Sequence, residues 1–339
     1  MRGSTTALAG AAIWLSAQRA AALEVTVGYQ LIYAPWAMAI VRGTFEKETG
    51  ASLRWVKFDS GAKAIQALAS GEVDIAVAGS SAIAVATSRG VDIQLFMLEA
   101  DIASAEALVV RNRSGIDRRE PLTLVGKRIG VPFVSTAHFH MLVALGMWGL
   151  RPDQVTLLNM QPNQIATAWE RGAIDAGFVW DPTLGRLKAN GTVMITSGEI
   201  AQRTGHATFD GVVVRRSFAE AHPEFVAAFV DIVDRANEDY RRHPAAWTPD
   251  SEPVQAVVNL VGGDPADVPA TLALYRFPTL EELASPQWFG GGKEARALHL
   301  LAATARFLEE QGKLEDIKPD YSPFVTSRYV EMVLARRKG

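Results

Sequence analysis

The chain has 339 residues, with 34 Lys and Arg against 37 Asp and Glu, a net charge of −3, and no cysteine. That balance excludes the basic footprint of a nucleic-acid binder, and the lack of cysteine excludes a disulfide or a lipid attached through sulfur. The length is ample for two domains with substantial cores.

In chain order, Arg2 precedes an apolar stretch over 6–15 and then Ala20-Ala21-Ala22, the order of a secretory leader. The apolar core is well short of the roughly 20 residues that span a bilayer. We read 1–22 as a leader cleaved near Ala22, and the rest as an exported, periplasmic protein. An alternating α/β pattern follows. Strands are expected at 24–29, 52–57, 75–78, 93–98, 107–111, 128–131, 155–159, 176–180 and 211–214, with helices between most of them. The last third is helical: Phe225, Val226, Phe229, Val230 and Val233 recur at helical spacing over 223–242, and similar patterns return at 253–261 and 293–311. This tail is expected to pack on the first lobe.

One motif occurs twice. Ala67-Leu68-Ala69-Ser70-Gly71-Glu72-Val73-Asp74-Ile75-Ala76 returns as Ala168-Trp169-Glu170-Arg171-Gly172-Ala173-Ile174-Asp175-Ala176-Gly177. Each copy reads as an apolar-faced helix, a Gly suited to a left-handed C-cap, and an Asp heading a short strand. Two copies with matched Ala, Gly and Asp point to two similar lobes. The strands run into Gly79-Ser80-Ser81 and Trp180-Asp181, so both ends can face one cleft, the usual ligand position in open α/β sheets. The strands that begin at Glu106 and Asp210 flank the second lobe and are the natural crossovers. This places lobe I at 23–108 and 213–339 and lobe II at 109–212.

Ser135-Thr136 follows a strand and opens an apolar helix at 138–150, and Gly79-Ser80-Ser81 repeats the arrangement in the first lobe. Helix N-termini carry free N–H groups and the positive end of the helix dipole, so a pair of them suits an anion. The plainer alternative is that these residues are ordinary N-caps. Glu106 and Asp210 sit where both lobes can reach a ligand. Together they could hold an ammonium group, or serve as a surface Glu and a capping Asp.

The stretches 58–62, 67–71, 79–81, 104–110, 126–129, 131–136 and 321–328 resemble the periplasmic taurine-binding proteins of sulfonate uptake ABC transporters, a group of the type II periplasmic binding proteins, over nearly the whole exported chain. The resemblance implies two α/β lobes, each a mixed sheet flanked by helices, with a helical C-terminal tail. It implies capture of taurine or a close aminoalkanesulfonate and delivery to an inner-membrane permease, with Glu106 and Asp210 on the amine. Gln30, Ser80, Ser81, Ser135, Thr136 and Trp180 complete the expected ligand set, Trp180 as an aromatic face for the ammonium. The loop Leu31-Ile32-Tyr33-Ala34-Pro35-Trp36 departs from the family's small or polar residues, and Tyr33 or Trp36 is expected to narrow the pocket. Asp181 also departs from the pattern, and we read it as the cap of the next helix.

Catalysis finds little support in the sequence. The close pair His138 and His140 points to opposite sides of a helix rather than to one metal. No nucleophile elbow, phosphate loop or dinucleotide fingerprint occurs. We expect a monomer without cofactor, metal or nucleic-acid partner. The alternatives are a binder of simple alkanesulfonates, or an enzyme of the pyrimidine-synthase type on the same fold.

Overall fold

The computed structural model describes residues 22–339, so the leader read at 1–22 lies, but for Ala22, outside the described residues. Ten strands form: β1 Glu24–Gln30, β2 Ser52–Phe58, β3 Ile75–Gly79, β4 Ile93–Asp101, β5 Glu106–Arg111, β6 Arg128–Val131, β7 Thr156–Asn159, β8 Ala176–Trp180, β9 Gly191–Thr196 and β10 Phe209–Arg215. They build two five-stranded mixed sheets, ordered β2-β1-β3-β10-β4 and β7-β6-β8-β5-β9. In the first, β1 runs parallel to β2 and β3, and β10 runs antiparallel to β3 and β4. In the second, β6 runs parallel to β7 and β8, and β5 runs antiparallel to β8 and β9. The inner strands β3 and β8 are buried at every residue, as continuous apolar runs covered on both faces require.

The repeated motif is the joint that makes the two sheets alike. Gly71 and Gly172 both take left-handed conformations, with φ of 79° and 69°, which a residue with a Cβ adopts only under strain. The turn then delivers an Asp whose side chain closes the head of the neighbouring strand. Asp74 Oδ2 accepts from the Thr26 N–H and Asp175 Oδ2 from the Arg128 N–H, each at 2.8 Å. The backbone carbonyls of the same two residues accept from Arg215 N–H and Arg111 N–H at 3.0 and 2.9 Å. One Asp per lobe therefore ties the motif to strands on either side of it.

Each sheet takes its crossover strand whole. β5 pairs only within the second sheet and β10 only within the first, so the chain crosses ahead of Glu106 and again ahead of Phe209, not within the strands. The two crossings run side by side, with Ile102 N–H donating to the Thr208 carbonyl at 3.3 Å.

The helical tail covers the first lobe. Helix Pro223–Arg242 buries Phe225, Val226, Phe229, Val230 and Val233, as their spacing predicts. Helix Arg296–Glu310 packs on helix Ser80–Ser88, and helix Arg328–Lys338 packs on Pro223–Arg242 and β4. A second apolar cluster joins Leu31, Tyr33 and Ile102 to Val257, Val268 and Leu272. One sequence reading changes here: strand β9 was not among the nine expected. Basic side chains are engaged rather than free: Arg111 lies over the Trp169 ring with 4.3 Å to its centroid, Arg215 pairs with Asp74, and Arg337 bridges Asp231 and Asp234.

Candidate functional site

A small cavity lies where the sheets meet at their strand ends. Lobe I contributes Gln30 from the end of β1, Gly61 and Ala62 from the start of helix Gly61–Ser70, and Gly79 and Ala82 from the start of helix Ser80–Ser88. Lobe II contributes Ser135 and Thr136 from the start of helix Thr136–Met147, together with Trp180 and Glu106. Asp210, on β10, completes the wall from the first sheet.

Three helix starts thus converge on the cavity, and the first-turn N–H groups of a helix have no intrahelical acceptor. In lobe I neither helix has a side-chain cap. A Cβ on Gly61 would meet Ala78 Cα at 2.9 Å, and one on Gly79 would meet Thr136 Cγ2 at 2.8 Å. The two glycines let the lobe I backbone come close to β3 and to the opposite lobe.

The hydroxyls behave differently from the sequence expectation. Ser135 Oγ donates to the Pro132 carbonyl at 2.6 Å and accepts from His138 N–H at 3.1 Å, so it is a cap with its proton already used. Thr136 Oγ1 donates to Glu106 Oε1. Ser80 and Ser81 do not line the cavity; Ser80 Oγ accepts from Phe209 N–H, and Ser81 Oγ is buried without a partner. The cavity therefore offers an anion backbone N–H groups rather than a ring of hydroxyls. Gly61 and Ala62, the third helix start, went unassigned in the sequence because a Gly-Ala pair carries no chemical signature of its own.

The acids come together as expected. Glu106 and Asp210 are 3% and 5% exposed and face the same cavity from opposite sheets. Burial pushes the Glu106 carboxyl up to about 8; the hydrogen bond from Thr136 opposes the rise, and nearby Asp210 adds to it. Burial pushes Asp210 up to about 7 against the pull of the Gln30 amide. The amide nitrogen of Gln30 faces Asp210 without reaching ordinary hydrogen-bond geometry. Behind Asp210, burial raises Glu99 to about 8, with Asp210 adding to the rise and the Trp36 indole, 2.7 Å from Oε1, opposing it. Among the described residues, no Lys or Arg forms an ion pair with any of these three acids.

The lobes are closed on each other. Trp180 Nε1–H donates across the cleft to the Leu31 carbonyl at 3.0 Å, while the residue also lines the cavity. Asp181 caps its own helix through Gly185 N–H at 2.7 Å, as expected. Its other oxygen accepts from Thr271 Oγ1 at 2.6 Å, a tie to lobe I that the sequence reading missed. Tyr33 and Trp36 do not narrow the pocket: Tyr33 lies in the second apolar cluster and Trp36 holds Glu99, while Ile32, just before Tyr33, lines the cavity.

The family model described as NMT1/THI5 like matches residues 32–246. A taurine-binding periplasmic protein of Escherichia coli (strain K12) is 40% identical over 95% of this chain and 97% of its own. Among solved structures, the alkanesulfonate-binding protein SsuA of Xanthomonas axonopodis pv. citri, bound to MOPS, superposes with a TM-score of 0.72 at 23% identity, covering 91% of this chain and 99% of that one. The periplasmic aliphatic sulphonate binding protein SsuA of Escherichia coli superposes with a TM-score of 0.66 at 18% identity, covering 87% and 94%. These structures share the two-lobed arrangement of mixed sheets and flanking helices expected from the sequence. The chain belongs to the NMT1/THI5-like family and has the type II periplasmic binding protein fold.

Proposed function

We propose that this protein is the periplasmic solute-binding component of an ABC importer, and that it captures taurine or a close aminoalkanesulfonate in the inter-lobe cavity. The observation that carries this reading is the pair of buried carboxylates, Glu106 and Asp210, facing one cavity from opposite sheets without a Lys or Arg partner among the described residues. Buried carboxylates without a cation are costly, and an ammonium group supplies one through charge-assisted hydrogen bonds worth about 1.5 to 3 kcal/mol each. The sulfonate end has three acceptor oxygens and a permanent charge, which matches the uncapped helix starts at Gly61 and Ser80 and the start at Thr136. Trp180 supplies an aromatic face beside the amine.

The mechanism is hinge closure about the crossings at 102–105 and 205–208, which divide the lobe that holds the first sheet from the lobe that holds the second. Ligand held from both sides adds contacts that exist only in the closed state, and the permease reads that state. The exported monomer, its leader cleaved near Ala22, delivers the ligand to an inner-membrane permease and performs no chemistry on it. Support comes from the names of the relatives and from the chemistry of the cavity. Calorimetry of ligand-free protein against taurine, ethanesulfonate, hypotaurine and β-alanine tests the reading. Taurine is expected to bind at micromolar dissociation constants or better, about −8 kcal/mol or stronger, and ethanesulfonate much more weakly. Equal binding of the two, or turnover of taurine, would overturn it.

A further inference from the structure

Behind Glu106 runs a chain of buried polar groups whose protons can be counted. His140 Nε2 lies 2.8 Å from the His206 carbonyl, and a carbonyl only accepts, so Nε2 carries a hydrogen. A neutral imidazole then presents Nδ1 as an acceptor, and its partner at 2.9 Å is Ser197 Oγ, which must donate. Ser197 has one proton. Its other contact, Glu106 Oε2 at 3.2 Å, is therefore left with a serine lone pair, and with the buried ring kept neutral the arrangement that satisfies every group has Glu106 protonated and donating to Ser197. Thr136 Oγ1 donates to the remaining Glu106 oxygen and completes the set.

We propose that Ser197 and His140 are positioning residues that hold a proton on Glu106 in the empty cleft, and that this proton stands in for the ligand's ammonium group and leaves when the ammonium arrives. The inference rests on the ligand reading above. The Glu106 O–H bond breaks as the amine enters, and the proton passes to solvent before the lobes close. The carboxylate then accepts from the ammonium instead of donating to Ser197.

The surroundings agree from every side. The titratable groups facing Glu106 are Asp210 on β10, His140 on helix Thr136–Met147 and Tyr275 after helix Asp267–Leu272, with Glu99 on β4 behind Asp210. None of these is a fixed cation. Burial lowers His140 to about 4, which keeps the ring neutral, and raises Glu106 to about 8. A consequence for specificity follows. Where Glu106 is protonated, the relay satisfies it without an amine and the cleft accepts a simple alkanesulfonate. Where it is ionised, an alkanesulfonate leaves the charge unpaired. The preference for taurine over ethanesulfonate should therefore rise with pH.

The test is calorimetry of the full mature protein at neutral pH in two buffers that differ in ionisation enthalpy. Taurine binding should release close to one proton from Glu106 together with the share Asp210 still holds, and ethanesulfonate binding should release none. The taurine-to-ethanesulfonate affinity ratio should grow by about tenfold or more between about pH 6 and about pH 9, a change corresponding to one pKa unit of linkage or more. Ser197→Ala removes the acceptor for the Glu106 proton and should flatten that pH profile, while Ser197→Thr, which keeps the hydroxyl, restores it. Tight taurine binding with no buffer-dependent heat, or an unchanged profile in Ser197→Ala, would overturn the relay and leave the ligand reading standing. Failure of taurine to bind would instead overturn the ligand reading itself.

Discussion

The two lobes share a strand order, an Asp-closed joint and a helix start at the cavity, yet they meet the ligand space with different materials. Asp210 pairs with Gly79 at the end of β3, and Glu106 pairs with Trp180 at the end of β8, so the acids hold equivalent places in equivalent sheets. Their backing is unlike. Lobe I is bare there: two uncapped helix starts, and glycines where side chains would collide. Lobe II is furnished: Thr136 and Ser197 donate to or accept from the Glu106 carboxyl, and the Trp180 ring reaches across to Leu31. A duplicated frame supplies matching positions, and the side chains at the strand ends decide that one lobe offers mostly backbone N–H groups while the other offers hydroxyls and an aromatic ring.

The largest expected effect breaks the acids one at a time. Glu106→Gln and Asp210→Asn keep shape and remove charge, so each should weaken taurine roughly tenfold or more, since a charged hydrogen bond is worth about 1.5 to 3 kcal/mol. Calorimetry on the two variants checks it, and wild-type affinity in both would place the amine elsewhere. Next comes the bare side of the comparison. Gly79→Ala fits its backbone, with φ of −66°, but its methyl group would press on Thr136 only when the lobes close. Overpacking of this kind costs about 1–3 kcal/mol. The variant should fold as wild type and lose taurine affinity, and small-angle scattering should show less compaction on saturation than wild type. Full compaction would mean that the two lobes do not approach through Gly79.

A third prediction concerns stability. In the folded, empty protein Glu99, Glu106 and Asp210 keep their protons up to about pH 8, 8 and 7, where an unfolded chain has already lost them. Unfolding then releases protons, so the melting temperature should fall as pH rises from the ordinary carboxylate range toward 8 and level off above it. Glu99→Gln should make the fall shallower. A melting temperature that climbs over this window would contradict the proton count. The smallest effect belongs to the cross-lobe tie: Thr271→Val removes one donor to Asp181, worth about 0.5–1.5 kcal/mol, and should weaken taurine by a few-fold at most.

Much of this comparison was legible in the sequence because the repeat is a local pattern. The Gly and Asp of each copy are demanded by a left-handed turn and a strand head, and both needs are visible within ten residues. The inner strands β3 and β8 and helix Pro223–Arg242 show their burial in their spacing. Strand β9 was hidden because it is an edge strand whose first three residues are exposed or only partly buried, so it has neither a clean alternation nor a continuous apolar run. The partners of the hydroxyls were hidden for a different reason. A Ser at a helix start is named by its position, but the direction in which its one proton points depends on partners such as Pro132. Ser197 lies 91 residues from Glu106 in the chain, and only the missed strand β9, leading straight into its helix, brings the two together.

The central claim is that equivalent acids from the two lobes recognise an amine. The most direct test is the ratio of taurine to ethanesulfonate affinity, measured by calorimetry in wild type and in the Glu106→Gln, Asp210→Asn double variant. The account predicts a strong preference for taurine in wild type that collapses toward parity in the double variant, with ethanesulfonate affinity kept or improved. A double variant that still prefers taurine as wild type does would contradict it.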